Sequence, residues 1–465
     1  MTKRQSIKGL TSIPGVGESL ATNLCNIGIK SITDLKRQNP EKLYNLSNAF
    51  ARTIQDRCVL YVFRCAVYYA DTPKDKHKTE KWKWWNWKER KMERKIMCTL
   101  LIIAVVFTSS VYAQKTIVDS FIKNKIEKLH IPGFEGIAIK DSKIVWTAYY
   151  GYQNMEKKIP VTEQTLFEVA STSKTVTAAA IMQLYAAEKI NLDDDVNKYL
   201  DFKIINPYFP KVPITFGQLL RHRSSIDDNV DYLSQFWETN HGDPAIPLQT
   251  FIKEYFAARG KHYDKEKNFY NYPPGAKANY SNIGIALLGY LVECITGKPF
   301  EQYCKANIFQ PLDMNNTSWF LREIGTDKVA MPYSYSDSLQ QYQPLGYGGF
   351  PDYPAGGLHT NVQQFAHFLI AWTQQGSWSG RQVFEKDAIQ TLTPDEFNLG
   401  FYTWFQYATN KGELLYMHTG KAIGISSFIS YNPVNKKGLI FICNGDINNG
   451  KDWREIIDTL YNNVF

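Results

Sequence analysis

Ser171-Thr172-Ser173-Lys174 carries the first chemical signal in the chain. It follows Leu166-Phe167-Glu168-Val169-Ala170 and leads into Thr175 to Ala187, which is rich in Ala and apolar on nearly all sides. That pattern predicts a central, buried helix. A serine in the first turn of such a helix lies beside free backbone N–H groups, and a lysine three residues on returns to the same face. A buried amine against a serine hydroxyl is a nucleophile with its base or its electrostatic activator. The plainer alternative is a helix N-cap followed by a solvated lysine. The same spacing recurs at Ser120-Phe121-Ile122-Lys123, which reads as a surface helix without function.

Two further motifs bear on the choice. Tyr280-Ser281-Asn282 follows the turn Pro273-Pro274-Gly275 and opens another apolar segment, Ile283 to Val292. Tyr280 is either a packing residue or a phenol that shares a proton relay with Lys174 and Ser171. His418-Thr419-Gly420 stands immediately before the strand-like run Ile423 to Tyr431, either as an ordinary turn or as a ligand-facing sheet edge.

The order S-x-x-K, Y-x-N, H-T-G resembles the serine β-lactamase and penicillin-binding-protein superfamily, in its class C-like branch of esterases, D-amino-acid peptidases and related hydrolases. The resemblance extends over residues 114–465. It includes Ile214 to Leu220 ahead of His222, Tyr353-Pro354-Ala355-Gly356-Gly357-Leu358, and Phe441 to Asp446. It implies that Ser171 forms an acyl-enzyme and that Lys174 and Tyr280 move its proton. Asn282 would hold Lys174 or the substrate amide, and His418, Thr419 and Gly420 would line the substrate. The oxyanion hole would be the backbone N–H groups of Ser171 and Lys421. Substrates implied are a small ester, amide or peptide, with no cofactor and no metal.

There are departures. His222-Arg223-Ser224-Ser225 stands where relatives often have His-Thr-Ser-Gly, which replaces a glycine and adds a charge. His418 stands where penicillin-active members commonly carry lysine. An ordinary imidazole is mostly neutral at pH 7, so attraction for a substrate carboxylate is expected to be weak and to improve as pH falls. Lys421 would supply the charge if it turned inward.

Other catalytic plans are missing from the sequence. There is no G-x-S-x-G elbow, no H-E-x-x-H and no G-x-x-x-x-G-K-[ST]. The seven cysteines form no CxxC or zinc spacing, and a bridge from Cys294 to Cys304 is compatible with the sequence. Thr360 with Gln363 reads as a capping box for a helix through Trp372.

Strand-like runs at Gly136 to Ile139, Lys143 to Tyr150, Ser426 to Tyr431 and Gly438 to Cys443 enclose a long helical middle. The expectation is an α+β domain whose antiparallel sheet is assembled from both of its ends.

The amino-terminal portion is a different protein in its electrostatics. Residues 1–97 hold 20 Lys+Arg against 9 Asp+Glu, and the remainder holds 33 against 36. Residues 1–72 read as a small all-α unit with an apolar helix from Arg57 to Tyr69. Ile13-Pro14-Gly15-Val16-Gly17 resembles a helix-hairpin-helix of the pathogenicity-locus or mitomycin-resistance type. Gly15, Val16 and Gly17 are then either a site for sequence-independent contact with nucleic-acid phosphate, as that resemblance implies, or only a helix-helix turn in a fold that also serves protein contacts. Residues 73–96 are a basic, Trp-rich tail or linker. Residues 97–113 combine an apolar run with small residues before Gln114 and read as a signal peptide or signal anchor. An uncleaved anchor would span the membrane through 97–112, leaving the first module inside and residues 114–465 periplasmic or extracellular. A second arrangement, two joined reading frames with a start at Met92, accounts for the same pattern.

The sequence thus points to a multi-domain chain whose larger part is a serine hydrolase. The competing function is a DNA-associated binding protein that carries an inactive penicillin-binding-like domain.

Overall fold

The computed structural model describes residues 2–51, 53, 55–78, 81, 83, 117–236, 242–392 and 403–465. The reading of 97–113 as a signal lies outside them. Among the described residues no single helix is long and apolar enough to cross a membrane. The chain divides into two compact units, Met1–Ser109 and Ser110–Phe465.

The first unit is helical, with Lys3–Leu10, Glu18–Asn26, Pro40–Ala51 and Arg57–Asp71 as its main elements. Leu10, Ile13, Val16, Leu24 and Phe63 share its core. The hairpin turns at Gly15, whose φ of 86° is open to glycine without steric cost. Gly15 and Gly17 are exposed, whereas Val16 buries its side chain. Of the three residues read as phosphate-facing, Val16 is therefore a core residue that could offer a ligand only its backbone.

The second unit is built on a seven-stranded antiparallel sheet. Its order is Phe405–Ala408, Leu414–Ala422, Ile425–Asn432, Lys437–Cys443, Gly133–Lys140, Lys143–Asn154, Ile159–Pro160. The two ends of the domain meet where Gly133–Lys140 pairs with Lys437–Cys443, with Ile137 opposite Ile440. Successive side chains of the central strands point to opposite faces and are apolar on both, so both sides of the sheet need cover. On one side the helix 117–128 and Gly450–Val464 pack Val118, Ile122, Ile456 and Leu460 against Phe134, Phe428 and Phe441. A buried Lys125 ties these two helices through Asp452 at 2.6 Å and Glu455 at 2.7 Å.

On the other side Ile137, Ile429, Ile440 and Ile442 belong to a larger core with three helices: Ser173–Ala186, Asn282–Thr296 and Val362–Thr373. Ser173–Ala186 is buried nearly throughout, as its all-round apolar composition requires. Each Leu or Ile it and its neighbours seal from water contributes about 1.5–3 kcal/mol.

Several expectations shift. His418-Thr419-Gly420 lies within the strand Leu414–Ala422 instead of before a strand, because Leu415 and Tyr416 already pack into the sheet's cores. The helix Val362–Thr373 is capped by Asn361, whose side chain accepts from the Gln364 N–H. Thr360 is unavailable for capping, since it pairs with Phe167 in a two-stranded ladder and its hydroxyl meets Thr317 at 2.7 Å. Cys294 and Cys304 are free thiols.

Candidate active site

Ser171 sits in a single 3₁₀ turn, Ala170–Thr172, that runs directly into the helix Ser173–Ala186. Ala170 has a φ of 44°, a left-handed conformation that costs a non-glycine residue about 1–3 kcal/mol. The turn is held in place all the same. The Ser173 hydroxyl donates to the Ala170 carbonyl at 2.6 Å, and the Ser427 hydroxyl donates to the Val169 carbonyl at 2.5 Å.

Lys174 is 0% exposed, and its Nζ donates to Ser171 Oγ at 2.9 Å and to the Ala355 carbonyl at 2.6 Å. Burial pushes its pKa down to about 7, while the carboxylates of Asp352 and Asp228 act in the opposite direction. A substantial fraction of Lys174 is therefore a neutral amine near pH 7, able to take a proton from the hydroxyl it touches.

Tyr280 completes the group. Lys174 Nζ lies 4.8 Å from its ring centroid, and Tyr280 and Ser171 line the same cleft. Although the residue is 42% exposed, desolvation raises the pKa of its phenol, against a smaller lowering by the Ser171 hydroxyl. Its ring stacks on His222 at 4.5 Å.

The helix Asn282–Thr296 starts on a carboxylate that sequence reading missed. Asp228 accepts from Ser281 Oγ at 2.8 Å, Asn282 N at 2.8 Å, Asn282 Nδ2 at 2.9 Å and Ile283 N at 3.1 Å. An anion at a helix N-terminus is favoured by the free N–H groups and the helix dipole. Asn282 consequently has its amide nitrogen held by Asp228, and Lys174 is held by Ala355 instead. No pattern in the sequence distinguished Asp228 from Asp227 beside it. Asp352 was missed as well. Burial, then repulsion from Asp228, raises its pKa to about 6, against the pull of Lys174.

Gly420 accounts for how closely the strand Leu414–Ala422 approaches the serine turn. A Cβ there would lie 2.2 Å from Ser427 Oγ, 2.3 Å from the Val169 carbonyl and 3.1 Å from the Ser171 N–H nitrogen. Its neighbour Thr419 pairs with Phe428 across the sheet. Lys421 turns its ammonium to Asn448 Oδ1 at 3.1 Å, so it does not replace the missing charge at position 418.

His418 departs from expectation. It is buried, its Nδ1 bonds to the Thr419 carbonyl at 2.6 Å, and burial followed by the nearby Lys174 pushes its pKa to about 3. The expected titration near neutrality is therefore lost. His222 is held neutral in the same way, at about 3, by burial first and then by Lys174 and His418.

The departure at 222–225 is absorbed locally. Ser225 occupies the left-handed region with a φ of 58°, where a glycine would be at ease, and its hydroxyl is satisfied by Asn206 Nδ2 at 2.8 Å. Arg223 turns to the Gly275 and Ala276 carbonyls at 3.0 and 3.1 Å, fastening the turn that leads to Tyr280.

Ser171, Tyr280, Asn282, Asp352 and Lys421 line one cleft of about 310 Å³, with Glu168, Phe350 and Ile423 also in its wall. Among the described residues no group of His, Cys, Asp and Glu could hold a metal ion.

Comparison with known proteins places this geometry. The beta-lactamase family profile matches residues 118–460, and the pathogenicity locus profile matches residues 3–93. Protein flp of Staphylococcus aureus is 26% identical over 329 residues, covering 70% of this chain and 62% of that protein. The chain therefore spans less than two thirds of the length of that relative. The octameric penicillin-binding protein homologue from Pyrococcus abyssi superposes with a TM-score of 0.62 at 26% identity, covering 74% of this chain and 76% of that one. The D-amino acid amidase from Ochrobactrum anthropi shares the fold at a TM-score of 0.59 and 18% identity, covering 75% and 99%. With its profile matched over most of the length, the chain belongs to the beta-lactamase family.

Proposed function

We propose that residues 114–465 are a serine hydrolase that forms an acyl-enzyme on Ser171 and cleaves an ester or amide. The observation that carries this reading is the 2.9 Å hydrogen bond from a fully buried Lys174 to the Ser171 hydroxyl in the wall of a cleft. Neutral Lys174 takes the Ser171 proton as Oγ attacks the substrate carbonyl carbon. The N–H groups of Ser171 and Lys421 receive the oxyanion. As the carbonyl re-forms, the bond to the leaving oxygen or nitrogen breaks and Tyr280 passes it a proton. Water then enters, the same groups run the proton path in reverse, and the acid is released.

Buried and neutral, His418 offers no charge to a substrate carboxylate, which favours uncharged esters and small amides over penicillins. The name of the amidase is consistent with that range of substrates. The test is hydrolysis of a p-nitrophenyl ester and of a panel of D- and L-amino-acid amides, by wild type and by Ser171→Ala. Turnover that vanishes in the variant is expected, and turnover that survives would move the nucleophile elsewhere. We also place the hydrolase outside the cytoplasmic membrane, on the export character of residues 97–113. Protease added to intact cells should then digest residues 114–465.

A further inference from the structure

Glu168 is three residues before the nucleophile and takes no part in the relay. It is 6% exposed and lines the Ser171 cleft. Its strand neighbour Phe167 is in the core, so alternation turns Glu168 to the opposite face. Among the described residues no donor reaches its carboxyl, and Oε1 is sealed from solvent without a partner. A buried carboxyl in that state has lost its hydrogen bonds to water without replacement unless a ligand completes it. Burial raises its pKa to about 8, so near neutrality it awaits a partner mostly in the protonated form.

The remaining charges in the cleft favour a cation as that partner. Asp352 presents a second carboxyl in the same wall. Of the two lysines, Lys421 is drawn away to Asn448, and Lys174 is committed to Ser171 and Ala355. Phe350 and Ile423 supply apolar wall beside these groups.

We propose that Glu168 is a specificity residue that binds the ammonium group of an amino-acid amide, ester or short peptide with a free amine, presented to Ser171. When the ammonium docks, Glu168 gives its proton to solvent and the carboxylate accepts N–H bonds from the ligand. Charge-assisted bonds of this kind are about twice as strong as neutral ones. The inference rests on the hydrolase reading for its substrate, but its binding test does not require turnover.

The test is calorimetric titration of the Ser171→Ala protein with leucine amide, each enantiomer in turn, and with the N-acetyl counterparts. At least one free-amine amide should bind about tenfold tighter than its acetylated form, as expected for a charged hydrogen bond. Adding Glu168→Gln should remove that difference and leave the N-acetyl affinity unchanged. Equal affinities in the Ser171→Ala protein, no binding of either at millimolar concentration, or a preference that survives Glu168→Gln would overturn the assignment. The first comparison needs no change at Glu168, so a folding defect in the second variant does not rescue the idea. Labelling of wild type with a fluorophosphonate separates the two claims. A labelled serine without amine preference defeats Glu168 alone, and amine preference without labelling defeats the hydrolase alone.

Discussion

The S-x-x-K spacing occurs twice in the larger domain, and the two copies have different surroundings. Ser120 and Lys123 are exposed on the helix 117–128, where Lys123 lies over the Tyr150 ring at 5.2 Å. Among the described residues no hydrogen bond joins that serine to that lysine. Ser171 and Lys174 share the spacing, but Lys174 is sealed from water and its Nζ is 2.9 Å from the serine oxygen. Desolvation converts a permanently charged surface group into an amine that can accept a proton near pH 7. The motif supplies the reach, and the burial supplies the chemistry.

The largest effect that sharpens this contrast is at Lys174. Lys174→Ala should lower kcat/KM by about 10²–10⁴, the range of a lost general base, whereas Lys123→Ala should leave it unchanged. In wild type, kcat/KM should fall as pH drops below about 7, because the base is lost on protonation. Asp352→Asn should move that limb to lower pH. It removes a carboxylate that favours the ammonium, so Lys174 stays neutral in more acid solution. A limb that stays in place would exclude Asp352 as its electrostatic neighbour.

A smaller loss is expected at Gly420. Gly420→Ala forces a Cβ into the Val169 carbonyl and the Ser171 backbone, which must shift the serine turn. Misplacement of about 1 Å costs on the order of 10²-fold in rate. The readout is kcat on a neutral ester, with circular dichroism to confirm the fold. Full activity would show that the strand can retreat without moving the nucleophile.

The smallest effect is a flat response at His418. The change between about pH 5.5 and 7.5 in the ratio of kcat/KM for a penicillin to that for a neutral ester should agree within about twofold in wild type and His418→Gln, since a buried, neutral imidazole adds no proton switch to those of Lys174 and Asp352. A rise on acidification that disappears in His418→Gln would restore the titrating histidine that sequence spacing suggested.

The architecture was legible where apolar runs were continuous. Gly136 to Ile139 and Gly438 to Cys443 read as strands buried on both faces, and the all-round apolar run after Lys174 reads as a buried helix. Ser171, Lys174 and Tyr280 stood out because the order of three motifs resembles a known family, and the fold brings them together at one cleft. Asp228, Asp352 and Glu168 did not. Asp228 and Asp352 act on residues more than 50 positions away, as Asp228 does on Asn282, and Glu168 stands out only because the fold seals it without a partner in the cleft wall. The state of His418 was misread for a related reason: its burial depends on Phe405 and Tyr280, which reach it from other elements. Sequence gives the residue type but not its solvent.

The most direct measurement is the site of covalent modification. Wild type treated with a fluorophosphonate, digested and sequenced by mass spectrometry, should carry one adduct on Ser171, with the Ser120 peptide unmodified. The Lys174→Ala protein should label far more slowly at the same serine. Modification of Ser120, of Ser281, or of no serine at all in folded protein would contradict the account.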